Sequence, residues 1–467
     1  MVEITYLDNL KGIKMTSLER LIENVDTSIE EIVKLEQDLV RIPSVNTGIM
    51  PTGNETEVCN YISKFMENEG IGTKLLSRDY GRDNLIIDYP LSDSKDCKLI
   101  FMSHTDVVPV ENESKWNYEP FGGDISSGRV YGRGSNDCKA LLTSQLMAMV
   151  IMKRSKIKLN NGLRLISGAD EEHGGRWGFG WLLENHPNIL KAEYAINEGG
   201  GTPVEVGDSI YYLLGTGEKG RLELNLELKG ESAHASLPWL GTNASYNLLK
   251  VLNLIQNYQP ELNISLPFFK YLNHFGIEEN VTSENVEKII ELLKKKLPRL
   301  SYLSKALSRM TITPTIINGG VKSNSVPEQI KLICDIRTLP FQDEKYVIKE
   351  LDELFSDIKE VKYEIDYMSV PNYSPFETEL KDAISKAHSK SIGVEEIKLI
   401  PSTSNGFTDS RFTRNAGTIT YGFSGAHPND DPMLANVHGT DESIGISSLV
   451  SCTKTMLTLA YDLCEGK

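Results

Sequence analysis

Leu99-Ile100-Phe101-Met102-Ser103-His104-Thr105-Asp106 is the stretch that decides the fold of this chain. An apolar run with strand character leads directly into a histidine and an acid, and the pattern recurs three more times. Leu163–Ile166 leads to Asp170-Glu171-Glu172, Tyr194–Ile196 to Asn197-Glu198-Gly199-Gly200, and Ile419–Phe423, after a loop, to His438. Helical patterns at Ala140–Met152 and Trp177–Glu184 separate these runs, and a further apolar run, Leu85–Tyr89, precedes them. Strands alternating with helices predict an α/β domain with a mostly parallel sheet flanked by helices. The carboxyl ends of the strands in such a sheet share one edge, where a ligand site is expected.

On the N-terminal side, Ser28 to Val40 sets Ile29, Ile32, Leu35 and Leu39 on one face of an amphipathic helix that ends near Pro43. Thr56 to Gly70 reads as a second helix, stopped by glycine. The character changes near Gly215. Arg221–Leu228 (RLELNLEL) alternates strictly, as a half-buried strand does. A helix (Asn243–Gln256), strands (Thr311–Ile317, Gln329–Asp335), a helix (Lys345–Phe355) and a strand (Tyr363–Met368) follow. That order, β-α-β-β-α-β, is ferredoxin-like, with a helix-rich insertion at about 258–308. After Tyr373 the α/β character returns. The expected architecture is a catalytic domain in two parts, 1–214 and 373–467, interrupted by an inserted α+β domain at 215–372.

Composition narrows the function classes. The chain has 467 residues, 40% hydrophobic and 24% charged, enough to bury a sizeable core. A length of this kind fits two or three domains, or one large domain carrying an insertion. With 49 Lys+Arg against 65 Asp+Glu, the net charge of −16 argues against nucleic acid as the main partner. The basic run Lys294-Lys295-Lys296 with Arg299 sits on a helical pattern and reads as a solvated face. No stretch approaches the ~18–20 apolar residues of a membrane span. Met1 to Arg20 mixes charges and lacks the apolar core of a signal peptide. The six cysteines are scattered without a Cys-x-x-Cys pair, which excludes a thiolate zinc site of the usual spacing and leaves a cytoplasmic location as the expectation. Gly132-x-Gly134 lacks the third glycine of a dinucleotide site, Gly199-Gly200-Gly201 has no following Lys-Ser/Thr, and no Gly-x-Ser-x-Gly elbow is present.

Each strand-end residue alone reads as an ordinary polar group. Together they place several carboxylates and two histidines side by side, a set that repels itself unless a cation neutralises it. Histidine with carboxylate and without cysteine is the ligand set of catalytic Zn²⁺, Co²⁺ or Mn²⁺, and this many ligands suggest two metals sharing a bridging carboxylate. Asp137, on the glycine loop Gly132-Arg133-Gly134-Ser135-Asn136-Asp137 just before a helix, joins them.

His104-Thr105-Asp106 with Val108-Pro109, Trp116-x-x-x-Pro120-Phe121, Gly132-Arg133-Gly134-x-x-Asp137, Asp170-Glu171-Glu172 and Asn197-Glu198-Gly199-Gly200 come in a telling order. They resemble the motifs of the zinc metallopeptidase family of aminoacylases, glutamate carboxypeptidases, acetylornithine deacetylases and succinyl-diaminopimelate desuccinylases. The likeness runs from Pro43-Ser44-Val45 to the C-terminal histidine. It implies a di-zinc peptidase-like catalytic domain and an inserted lid and dimerisation domain. It implies that His104 and Glu198 bind one Zn²⁺, Glu172 and His438 the other, and Asp137 both. Asp106 would orient His104 through its far ring nitrogen, and Glu171 would be the general base. His427 is a second candidate for the last histidine, but His438 stands in His-Gly-Thr-Asp-Glu-Ser, which resembles the family's terminal motif. His173, beside Glu172, is expected to face solvent or the sheet. The resemblance also implies a non-proline cis peptide at Asp137–Cys138.

In the inserted domain, Gly230-Glu231-Ser232-Ala233-His234-Ala235-Ser236 resembles the lid motif in which a histidine, here His234, reaches the neighbouring subunit's site. Asn324-Ser325-Val326-Pro327-Glu328 and Asp335-Ile336-Arg337 resemble its substrate-contact segment, with Arg337 either binding a substrate carboxylate or pairing with Asp335. Ser404-Asn405-Gly406-Phe407-Thr408-Asp409 resembles a substrate-binding glycine loop, Gly406 included, and departs from it at Phe407, which would narrow the acyl pocket. The expected activity is cleavage of the amide bond of a small peptide or N-acyl amino acid, in a homodimer. The alternatives are a biosynthetic deacetylase or desuccinylase and an inactive family member that only binds. The presence of every ligand and of Glu171 speaks against the last.

Overall fold

The computed structural model describes residues 16–89, 96–207, 209–358 and 361–465, so most of the Met1–Arg20 segment lies outside the described residues. The chain divides into two compact units. One comprises Met1–Leu213, Glu377–Leu399 and Ala416–Lys467; the other comprises Leu214–Phe376 and Ile400–Asn415.

The first unit is built on a sheet whose strands lie in the order Lys74–Ser77, Asp83–Asp88, Gly162–Gly168, Cys97–His104, Tyr194–Asn197, Ile419–Gly422. The last four are parallel. Asp83–Asp88 is antiparallel to both of its neighbours. The sheet is therefore mixed, and the expectation of a mostly parallel sheet is corrected. The cause is local: Lys74–Ser77 is a strand, and the short turn between it and Asp83–Asp88 permits only a hairpin, which must be antiparallel.

Parallel strands buried on both faces read as continuous apolar runs, and Leu99 to Met102 are fully buried. Helix Lys139–Arg154 packs on that strand and is itself buried along every residue from Lys139 to Met152. Its Gln145 amide NH₂ donates to the Met102 carbonyl at 2.8 Å, tying the helix to the strand inside this layer. Helix Ile446–Cys464 also packs against the Cys97–His104 strand, and helix Glu55–Asn68 packs against Asp83–Asp88. The register pairs His104 with Gly168 and Asn197 with Gly422. His104, the Asp170-Glu171-Glu172 turn and Glu198 consequently leave the sheet at one edge.

The second unit is an antiparallel sheet ordered Thr311–Gly319, Gln329–Thr338, Gly220–Lys229, Val361–Ser369. Alternation places Leu222, Leu224, Leu226 and Leu228 in one core with Ile330, Leu332, Cys334 and Ile336. Helices Ala244–Asn257 and Glu344–Phe355 close that core through Val251, Ile255, Val347 and Leu351. Helices Val286–Lys296 and Pro298–Leu307 follow between the first helix and the edge strand. Among the described residues no helix is long and apolar enough to cross a membrane.

Candidate metal centre

The residues that leave the first unit's sheet edge form two groups. Ligand atoms of His104, Asp137, Cys138 and Glu198 lie within 4.8 Å of one another, as do those of Asp137, Glu172 and His438. Asp137 belongs to both. Its Oδ1 lies 3.0 Å from His104 Nε2 and its Oδ2 lies 3.1 Å from His438 Nε2. Glu198 Oε1 is 3.6 Å from His104 Nε2, and Glu172 Oε2 is 3.1 Å from His438 Nε2.

Asp137 is placed by the glycine loop. Gly134 has φ +85°, and a Cβ there would come within 2.5 Å of Val107 Cγ1, so only glycine lets the loop lie this close to the strand end. The Asp137–Cys138 peptide is cis, as the resemblance implied. Glu198 follows its strand directly, and Gly422 makes room for it: a Cβ at Gly422 would come within 2.3 Å of the Glu198 carbonyl oxygen.

Asp106 contacts the backbone of the Glu171-Glu172 turn as well as the His104 imidazole. His104 Nδ1 lies 2.9 Å from the Asp106 carbonyl oxygen and 3.5 Å from its Oδ1. The carboxylate accepts the backbone N–H groups of Glu171 and Glu172, each at 3.1 Å, and the Asn46 amide at 2.8 Å. Asn46 also donates to Asp170 at 3.0 Å, and Arg82 joins Asp170 to Glu55. Sequence reasoning assigned no role to Asn46, Arg82 or Glu55, which come from other elements and carry no spacing signal.

The electrostatics are those of a site built around positive charge. Burial works against the charge of Asp137, but His104 and His438 hold its carboxyl well below the usual range. Burial likewise opposes a charged His104, yet Cys138, Glu198 and its hydrogen bonds to Asp106 and Asp137 hold it well above the ordinary imidazole value. Hydrogen bonds to Asp137 and Glu172 raise His438 to about 10. Burial lifts Glu198 to about 8 and raises Glu172 as well. A divalent cation would neutralise these clustered carboxylates in place of added protons. Glu172 Oε1 is buried without a hydrogen-bond partner among the described residues. A buried carboxylate oxygen left unpaired fits a metal donor set. The five residues therefore fit divalent cations.

Cys138 is the unexpected neighbour. Its Sγ accepts the His104 N–H at 3.1 Å, and burial pushes its thiol pKa well up, so it grips the His104 backbone as a thiol. His427 is in neither group; its Nδ1 accepts the Asn429 N–H at 3.1 Å. His173 is exposed. Glu171 is half-buried and lies on the turn between Asp170 and Glu172, outside both groups.

His234, Asn324, Arg337 and Gly406 belong to the second unit. His234 is exposed, with Nδ1 2.7 Å from Ser236 Oγ. Its backbone bridges to Ser325, and the Asn324 carbonyl accepts the Ala235 N–H at 3.0 Å. Arg337 pairs with Asp335 at 2.7 Å and donates to the Asn405 carbonyl at 2.9 Å, one residue before Gly406. Gly406 N donates to Ser404 Oγ at 3.1 Å. Phe407 lies beneath the Arg411 guanidinium at 4.3 Å.

The family model for peptidase family M20/M25/M40 matches residues 100–462. An uncharacterized metallohydrolase of Methanocaldococcus jannaschii is 28% identical over 385 residues, which is 77% of this chain and 84% of that protein. A probable succinyl-diaminopimelate desuccinylase of Staphylococcus aureus is 25% identical over 359 residues, 74% of this chain and 77% of that protein. Among solved structures, an M20 family metallo-carboxypeptidase of Sulfolobus solfataricus shares the fold with a TM-score of 0.69 at 21% identity, covering 92% of this chain and 99% of its own.

Proposed function

The chain belongs to peptidase family M20/M25/M40 and is a metallohydrolase acting on amide bonds, and on that premise we propose that it is a di-zinc enzyme cleaving small peptides or N-acyl amino acids with a free carboxylate. The observation that carries the proposal is Asp137, whose two carboxylate oxygens each face a histidine of a different group. His104 and Glu198 would hold one Zn²⁺, Glu172 and His438 the other, with Asp137 shared between them; Co²⁺ or Mn²⁺ would suit the same donors. Bound cations supply Lewis-acid polarisation of the amide carbonyl and lower the pKa of a water. Glu171 would take a proton from the water that adds to the amide carbonyl and pass it to the departing nitrogen as the C–N bond breaks. Asp106 holds the Glu171-Glu172 backbone and His104 in place while this happens.

Residues 215–372 act as the lid and dimerisation domain. His234, exposed and oriented by Ser236, serves the oxyanion of the partner subunit's site. Asn324, Arg337 and Gly406 contact substrate; Arg337 does so when a substrate carboxylate displaces the Asn405 carbonyl from its guanidinium. Exposed Trp239, Leu240, Tyr246 and Leu249 support a homodimer through this domain. Six free cysteines, five of them buried, support a reducing, cytoplasmic setting.

A second reading, deacylation of an N-acyl amino acid in amino-acid biosynthesis, is favoured by the similarity to the probable succinyl-diaminopimelate desuccinylase. One panel separates them: dipeptides, N-acetyl and N-succinyl amino acids assayed with and without a chelator. Chelator-sensitive release of amino acid from dipeptides supports the peptidase reading, and release confined to acyl substrates supports the deacylase. Hydrolysis that survives complete metal removal would overturn both.

A further inference from the structure

Arg133 and Glu442 belong to neither metal group, yet both are buried against it, at 5% exposure or less. Glu442 Oε1 accepts the backbone N–H groups of Asn136 and Asp137, both at 3.0 Å. Its Oε2 receives Arg133 Nη1 at 2.5 Å. Arg133 Nη2 donates to the backbone carbonyl of His438 at 3.2 Å. The guanidinium is held from a third side by the Trp116 ring, 5.4 Å from its centroid. Arg133 Nε is buried without a hydrogen-bond partner among the described residues, so the fork is set to serve its two terminal nitrogens.

A buried ion pair contributes little net stability by itself, because desolvation offsets the attraction. What this one does is geometric. One carboxylate grips the main chain that presents Asp137, and the guanidinium bound to it grips the main chain that presents His438. Those two segments are more than 300 positions apart and come from different elements. We infer that Arg133 and Glu442 are positioning residues that hold the shared ligand Asp137 and the terminal ligand His438 in register for a second divalent cation, an inference that rests on the two-metal reading above. The pair is asymmetric: Glu442 acts on Asp137, which serves both cations, whereas the Arg133–His438 link serves one.

The asymmetry gives the test. Lysine has a single ammonium on a flexible stem and cannot bridge two acceptors as the planar fork does, so Arg133→Lys keeps the buried charge and loses the link. Full-length wild type, Arg133→Lys and Glu442→Gln are stripped of metal and titrated with Co²⁺, with binding read from visible absorbance and elemental analysis and folding from circular dichroism and Tm. Wild type is expected to take two ions. Arg133→Lys is expected to keep the first and to weaken the second by ~10–100-fold, the usual range for residues that orient a ligand. Glu442→Gln is expected to weaken both. Folded variants that bind two ions as tightly as wild type would overturn the inference, as would Arg133→Lys weakening both ions equally in step with a fall in Tm. Wild type that binds two ions keeps the functional reading intact in either case. Wild type that binds none would overturn that reading, and this inference with it.

Discussion

Asp106 meets Glu172 through the main chain: a carboxylate oxygen of Asp106 accepts the Glu172 backbone N–H at 3.1 Å. The other oxygen takes the Glu171 N–H at the same distance, while the Asp106 carbonyl lies 2.9 Å from His104 Nδ1. One residue thus sets the imidazole of one metal group and the carboxylate of the other. Asp106→Asn leaves an amide NH₂ facing a backbone N–H, at a cost of about 1–3 kcal/mol. Steady-state kinetics are expected to show kcat falling at least ~10-fold with KM little changed. An unaltered kcat would remove Asp106 from the machinery.

Glu171 lies outside both metal groups. Glu171→Gln is therefore expected to retain its full metal content while kcat drops by ~10²–10⁴. Elemental analysis beside a turnover assay checks both halves. A variant that lost its metal would make Glu171 a ligand, and one that kept its activity would leave the proton transfer to another group.

Arg82 is a second buried hub. Its guanidinium lies 2.8 Å from Glu55 and 3.0 Å from Asp170, with all three side chains no more than 1% exposed. Burial raises Glu55 to about 7 in spite of this pairing. Arg82→Met strands two carboxylates in the interior and is expected to cost ~3–5 kcal/mol in urea unfolding of the metal-free protein. Adding Glu55→Met should restore part of that loss. A single variant as stable as wild type would mean that water reaches these carboxylates.

Glu36 gives a pH signature away from the metal groups. It is buried, accepts the Thr143 hydroxyl at 2.7 Å, and its pKa is raised by burial to about 8 from 4.5. The folded state therefore binds the proton more tightly than the unfolded state. Its contribution is fully present below about 4.5 and is lost as pH rises through about 8. Glu36→Gln keeps an acceptor for Thr143 without the charge. The variant is expected to match wild type near pH 4.5 and to exceed it by at least ~1 kcal/mol at pH 8. Denaturant midpoints at the two pH values decide it, and a difference that does not change with pH would refute the titration.

Trp239 and Leu240, with Tyr246 and Leu249 on the following helix, are each at least 66% exposed in the second unit. Replacing Trp239 and Leu240 by serine is expected to convert a sedimenting dimer to monomer without lowering Tm of the isolated chain. A wild type that sediments as a monomer at micromolar concentration would count against dimerisation and against His234 acting across subunits.

The convergence of His104, Glu172 and Glu198 was legible because each ends a buried apolar run, and parallel strands bring their ends to one edge. Asp137 was legible only through its motif, since a glycine loop has no periodicity to place it. The mixed sheet was missed for a physical reason. Lys74–Ser77 is four residues long with no buried side chain, so it leaves almost no hydrophobic pattern, and without it Asp83–Asp88 has no hairpin partner. The grips of Arg133, Glu442, Arg82 and Asn46 were illegible for another reason. A buried ion pair or amide across distant segments has no sequence period and shows itself only once the chain is folded.

The glycine loop and the acidic turn share a property that matters for redesign. Glu442 and Asp106 each hold two consecutive main-chain amides, and so fix the loops without touching the side chains that those loops display. The scaffold and the chemistry are thereby separable. A protein engineer who wished to alter metal preference could exchange the side chain at Glu172 or Asp137 for another donor and expect the backbone to stay where it is. Such freedom is also what would let one ancestral architecture be retuned to new substrates by small steps.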